Sequence, residues 1–342
     1  MARRIRKSSW TGALARSLGA LSRATLRAGT RAAVQATARA VKAAAKPVRA
    51  PRRAAPGPGH WLAGAAVGPA GARRYRLYKP PGVAARRPLL VMLHGCHQDA
   101  AGFAASTRVQ RLAARAGFLV LCPEQERLAN AQGCWNWFDT RTGRAAAEAA
   151  SIVAAIDQVC ARHGADPARV AVAGFSAGAS MAALLAQRYP QRVRAVAMHS
   201  GVAPGAAHST ASALSAMQGR RRPAPLPTDA PALPPLLVIQ GGADPIVNQR
   251  NGRAAAQWWA DAAGAAETAP RSVQRGARRA ATVTDFKSRS RVAATLCEVP
   301  GLGHAWSGGA AGQAYGDPKG PDAARLVWAF AARCFRQSAA KQ

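Results

Sequence analysis

The sequence predicts an α/β fold, a mainly parallel central sheet flanked by helices, preceded by a basic N-terminal tail. Three observations point to it. Short continuous apolar runs such as Leu89–Leu93 and Leu236–Ile239 alternate with longer segments of helical period, the rhythm of strand–helix–strand units. One such run, Val170–Ala173, leads straight into Gly174-Phe-Ser-Ala-Gly178 and then into the helix-forming stretch Met181–Ala186. The chain of 342 residues is 49% hydrophobic, enough for a sizeable core, yet no window holds the ~18 uninterrupted apolar residues of a membrane span.

Taken in order, Tyr75–Tyr78 alternates and precedes Pro80-Pro81-Gly82, as an early strand and turn do. Leu89–Leu93 is a buried strand, 107–116 a helix, and Phe118–Cys122 a strand stopped by Pro123. Residues 145–162 form a helix whose apolar stripe is Ile152, Val153, Ile156 and Val159. Strand Val170–Ala173, helix 177–189 and strand Val193–Met198 follow, then strand Leu236–Ile239 and helix 252–263. Thr282–Phe286 and Val292–Val299 suggest a strand pair, and Leu326–Phe335 a closing helix. The Ala/Ser/Pro-rich stretch 205–235 interrupts this rhythm and is expected to cover part of a substrate site as a lid.

Charge divides the chain at about residue 59. Lys and Arg number 48 against 15 Asp and Glu, a net charge of +33. Fourteen of those cations precede residue 60, and the first acid is Asp99, so the remainder carries 34 − 15 = +19. Residues 1–59 are therefore expected to be a basic tail, amphipathic or disordered, and 60–342 the catalytic domain. Trp10, Leu14, Leu18 and Leu21 share one helical face, which suits contact with a polymer granule or an anionic surface. No base-reading motif accompanies the charge, so no specific nucleic acid is expected. No secretory signal is read at the N terminus.

Strand–turn–helix context turns the pattern around Ser176 into a nucleophile elbow. A serine hydroxyl is a weak nucleophile, so it needs a base that is itself oriented by a carboxylate. Downstream histidines are His199, His208 and His304. His304 lies on a glycine-bracketed loop before the last helix and is the preferred base. Asp244 follows a strand through Gln240-Gly-Gly-Ala, at the carboxyl edge where catalytic groups gather, and is preferred over Asp229, Asp261 and Asp285. The developing oxyanion needs two amides. One is that of Ala177; the other comes from the turn after Leu93, most naturally that of Cys96. His94 precedes the serine and is expected to support this turn.

Four blocks, Leu93-His-Gly-Cys-His-Gln98, Cys134-Trp-Asn-Trp-Phe-Asp139, Gly174-Phe-Ser-Ala-Gly178 and Gly301-Leu-Gly-His-Ala-Trp-Ser-Gly-Gly309, resemble the polyhydroxybutyrate depolymerase family of esterases. That family is similar to feruloyl and acetylxylan esterases of the α/β-hydrolase fold, and the resemblance runs from about Tyr75 to Phe335. It implies a triad of Ser176, Asp244 and His304, oxyanion amides at Cys96 and Ala177, and substrate contacts at Trp135, Trp137 and Trp306. It also implies a Cys96–Cys134 bridge and an extracellular setting.

The substrate implied is a short-chain 3-hydroxyalkanoate ester or a polyester, with no organic cofactor. Six cysteines show no metal-ligand spacing, so no metal is expected. Feruloyl or acetylxylan esters, a peptidase on the same fold, and a non-enzymatic granule- or polyanion-binding protein are the alternatives.

Overall fold

A computed structural model describes residues 59–82, 85–227, 229–289 and 291–339. The expected amphipathic helix through Trp10 and Leu21, with the rest of the basic segment to residue 58, lies outside the described residues.

Strand β1 (His60–Gly68) pairs antiparallel with β2 (Gly71–Lys79), and β2 pairs antiparallel with β4 (Leu119–Pro123). From β4 inward the sheet is parallel: β3 (Arg87–Leu93), β5 (Ala165–Phe175), β6 (Ala195–His199), β7 (Leu236–Gly241) and β11 (Arg291–Val299). An antiparallel β10 (Ala281–Ser288) and the short β8 (Ala266–Glu267) and β9 (Arg271–Val273) extend the far edge, giving the order β1-β2-β4-β3-β5-β6-β7-β11-β10-β8, with β9 also on β10. β4, β6 and β7 are buried along their whole length, as strands covered on both faces must be, which is why they read as unbroken apolar runs. β2 alternates instead, burying Arg73, Tyr75 and Leu77.

Helices α1 (Ala100–Thr107), α2 (Val109–Ala116), α3 (Arg144–His163), α4 (Ala177–Arg188), α5 (Thr210–Met217), α6 (Arg250–Ala262) and α7 (Ala323–Ala339) connect or cover these strands. The first ten residues of α4 are all buried, so this alanine-rich helix sits in the core rather than on the surface.

Two differences from the sequence reading have structural causes. The helix expected over 107–116 is present as α2 from Val109, and an unexpected helix, α1, precedes it; Arg108 adopts a left-handed conformation (φ 55°) that ends α1 and separates the two. Its guanidinium donates to the Gly308 carbonyl at 2.5 Å, a distant contact no local pattern encodes. β1 went unpredicted because its Ala- and Gly-rich residues have little apolar alternation; partnership with β2 makes it a strand. The 205–235 stretch contains α5, capped by Ser209, and is fastened to α6 by Trp258 and Trp259 indole donors to the Ala224 and Pro234 carbonyls, both at 2.7 Å.

Candidate active site

Ser176 stands between the carboxyl end of β5 and the first residue of α4, with φ 54° and ψ −122°. Such backbone costs about 1–3 kcal/mol and persists only where its surroundings hold it. Here its amide donates to the His199 carbonyl at 2.9 Å. The flanking glycines serve close approach: a Cβ on Gly174 would lie 2.1 Å from the Gly178 carbonyl oxygen, and one on Gly178 would lie 2.2 Å from the Leu93 carbonyl oxygen. Without side chains there, the N terminus of α4 seats directly on the end of β3.

His304 Nε2 lies 3.0 Å from Ser176 Oγ, and His304 Nδ1 lies 2.9 and 3.1 Å from the two Asp244 carboxylate oxygens. A carboxylate only accepts, so Nδ1 carries the proton and Nε2 is free to accept from the serine hydroxyl. Asp244 Oδ1 also receives the amides of Ile246 and Val247, each at 2.9 Å. Burial pushes the Asp244 carboxyl up; the His304 ring and those two amides outweigh it and hold the group below the usual carboxylate range. The other sequence candidates lie elsewhere. Asp285 accepts from Thr295 and Arg271 at 2.7 Å each, and Asp261 accepts from Gln257 within α6. His208 belongs to the start of α5, where its amide donates to Ser212 Oγ at 2.9 Å.

His199 holds the segment that follows His304. Its Nε2 accepts the Ser307 amide at 3.0 Å, its Nδ1 faces Ser200 Oγ at 3.2 Å, and Trp306 stacks on it at 5.0 Å. Burial lowers its pKa to about 3, which preserves the neutral ring that accepting requires. One residue therefore fixes Ser176 through its carbonyl and the His304 loop through its ring.

Beyond β3, the turn at Cys96 is closed by the Gly95 amide on Gln98 Oε1 at 2.9 Å and by the His97 amide on the Gln132 carbonyl at 2.8 Å. A disulfide joins Cys96 to Cys134. Among the described residues, the Cys96 and Ala177 amides donate to no group of the chain, whereas the Ser176 amide is already used. His94 accepts the Gln125 amide at Nε2 (3.1 Å) and donates from Nδ1 to the Gly95 carbonyl (2.9 Å); burial lowers its pKa to about 4.

Behind this turn lies a polar network that sequence reasoning missed. Buried Glu148 of α3 accepts from the Asn136 amide at 2.9 Å, from Asn136 Nδ2 at 2.6 Å and from Gln125 Nε2 at 2.7 Å, while Gln125 Nε2 also donates to the Cys134 carbonyl. Arg73 donates to Gln125 and lies over the Trp135 ring, 5.1 Å from its centroid. The available signal was Glu148, a carboxylate on the inward, Ala-rich side of a helix.

The tryptophans correct an expectation. Trp135 is 0% and Trp306 1% exposed, so neither presents surface to a substrate. Trp135 instead donates from Nε1 to the His94 carbonyl at 3.0 Å, and Trp306 wedges between His199 and Phe103. Trp137, 7% exposed, retains a little surface.

Among the described residues no group of three or more His, Cys, Asp or Glu is placed to hold a metal.

Residues 73–271, more than half of the chain, match the family described as Esterase PHB depolymerase. A stretch of 139 residues, 40% of the chain and 33% of its relative, is 39% identical to poly(3-hydroxyalkanoate) depolymerase C of Paucimonas lemoignei. Another of 142 residues, 41% of the chain and 48% of its relative, is 33% identical to feruloyl esterase B of Neurospora crassa. These matches span a third to about half of the relatives' lengths. Acetyl xylan esterase from Aspergillus awamori superposes with a TM-score of 0.59 at 20% identity, over 72% of the chain and 94% of that protein. At that identity the likeness shows the fold alone, and the fold is that of the α/β-hydrolases. By the match over residues 73–271, the chain belongs to the PHB depolymerase family of esterases.

Proposed function

We propose that the chain is a serine-dependent carboxylic ester hydrolase that works through an acyl-enzyme. Ser176 is the nucleophile, His304 the base and then the acid, Asp244 the carboxylate that orients it, and the Cys96 and Ala177 amides the oxyanion donors. The observation that supports this most strongly is the hydrogen-bonded relay from the Ser176 hydroxyl through both ring nitrogens of His304 to Asp244.

In this mechanism Ser176 Oγ attacks the ester carbonyl as its proton passes to His304 Nε2. The imidazolium formed is stabilised by Asp244, which stays ionised because its pKa is held low. Negative charge on the former carbonyl oxygen is met by the two unengaged amides and the N terminus of α4. His304 then gives its proton to the departing alkoxide, releasing the alcohol. Water, deprotonated by the same ring, attacks the acyl-enzyme and frees the carboxylic acid.

The substrate class proposed is short-chain 3-hydroxyalkanoate esters and their oligomers or polymer, since the relative at 39% identity carries that name. Purified protein is to be assayed on a graded acyl-ester panel and on amorphous polyhydroxybutyrate. Ser176→Ala should lower kcat by at least about 10³-fold on any ester that is cleaved. A Ser176→Ala variant as fast as wild type would end the assignment, and turnover of acetyl or feruloyl esters alone would move the substrate class.

A further inference from the structure

The triad accounts for none of the arginines that gather between α2, the far strands of the sheet and the start of α7. They line a cavity of about 480 Å³, with seven arginines against a single carboxylate, Asp322. Four of these arginines are engaged by the chain. Arg108 and Arg278 donate to the Gly308 and Gly320 carbonyls at 2.5 and 2.7 Å, Arg279 pairs with Asp317, and Arg325 lies 3.8 Å from Asp322. The other three, Arg111, Arg115 and Arg275, have no carboxylate partner among the described residues. Arg111 and Arg115 stand one helical turn apart, where like charges repel. The concentration of positive charge calls for an anion.

The walls are apolar. Leu112, Val273, Val283, Leu326 and Ala329 face the cavity, and no aromatic side chain does. A bare inorganic anion would leave those walls wet. Single-stranded nucleic acid would lack the aromatic platforms on which bases stack. The volume falls within the roughly 300–1,000 Å³ of small-molecule sites.

We propose that this cavity is a second binding site, separate from the triad, for a medium-chain carboxylate. The chain's apolar body lies against Leu112, Val283 and Leu326, and its carboxylate meets the guanidinium groups of Arg111, Arg115 and Arg275. No residue is shared with the Ser176 site, so the proposal stands whether or not the hydrolase assignment does.

Isothermal titration of the full chain with hexanoate, octanoate and decanoate tests it. Affinity should rise about threefold to fourfold per added methylene and fall with salt. Decanol and inorganic phosphate should bind at least tenfold more weakly than decanoate. The triple variant Arg111→Ser/Arg115→Ser/Arg275→Ser should weaken decanoate at least tenfold. Ala329→Trp, at an exposed helical position lining the cavity, should do the same by filling it. Thermal melts and far-UV circular dichroism verify that both variants fold. Decanoate binding unchanged in the two variants overturns the proposal, because the carboxylate then sits elsewhere. Equal binding of decanol overturns it as well, leaving an apolar hollow without charge selectivity. So does retention of duplex DNA, but not decanoate, that the triple variant loses.

Discussion

Gly178→Ala is the sharpest probe of how the site is assembled. The added Cβ would lie 2.2 Å from the Leu93 carbonyl oxygen and 2.5 Å from that of His94, both backbone atoms. Ordinary contact is about 3.5 Å, so helix and strand must part by about 1 Å. Neither yields easily. β3 is held between β4 and β5, and α4 is buried through its first ten residues. The cost therefore belongs at the upper end for overpacking, about 3 kcal/mol. Over the roughly 280 described residues that lowers Tm by about 5 °C. The chemical effect should be larger. The displacement separates the Ala177 amide from the Cys96 turn, the two proposed oxyanion donors, and misaligning one such donor costs about 10²–10³ in kcat. Differential scanning fluorimetry and initial rates on a short acyl ester measure both. A Gly178→Ala protein keeping more than half of wild-type kcat and melting within about 1 °C of it would show that the close approach does not govern the site.

Further outcomes follow from the same geometry. Buried His94 and His199 have folded pKa values of about 4 and about 3, against 6.5 unperturbed. The unfolded chain thus binds more protons below pH 6.5, so the stability these rings contribute is complete above it and is lost as pH falls toward 3. From pH 7 to pH 5 each should cost about 2 kcal/mol; a Tm unchanged over that interval would contradict their neutral burial. The Cys96–Cys134 bridge spans 38 residues, for which chain entropy gives about 4 kcal/mol. Cys134→Ser should therefore lower Tm by about 7 °C and also reduce kcat, and an unaltered kcat would mean that the bridge does not brace the Cys96 amide. Trp135→Phe should cost about 1 kcal/mol of stability through its lost bond to the His94 carbonyl and leave KM unchanged, whereas Trp137→Ala should raise KM. A rise in KM for Trp135→Phe alone would restore a substrate contact to that ring.

Much of the fold is legible because burial on both faces writes itself into short runs. Val170–Ala173 and Leu236–Ile239 had to be strands, and the alternation of such runs with helical segments implied a parallel sheet. Ser176, Asp244 and His304 stand out for a related reason: glycine-rich turns at the carboxyl ends of strands are locally encoded. Their convergence is a different kind of fact, since 60 residues separate Asp244 from His304 and 128 separate Ser176 from His304. Long-range sheet register and crossover packing set those distances, and neither leaves a local signature. The same holds for the Arg108 break and for His199, whose ring reaches a loop 108 residues away. Tryptophans show the limit most plainly. The family resemblance implies substrate contacts at these rings, yet Trp135 and Trp306 turn inward, because exposure belongs to the assembled chain and not to a segment of it.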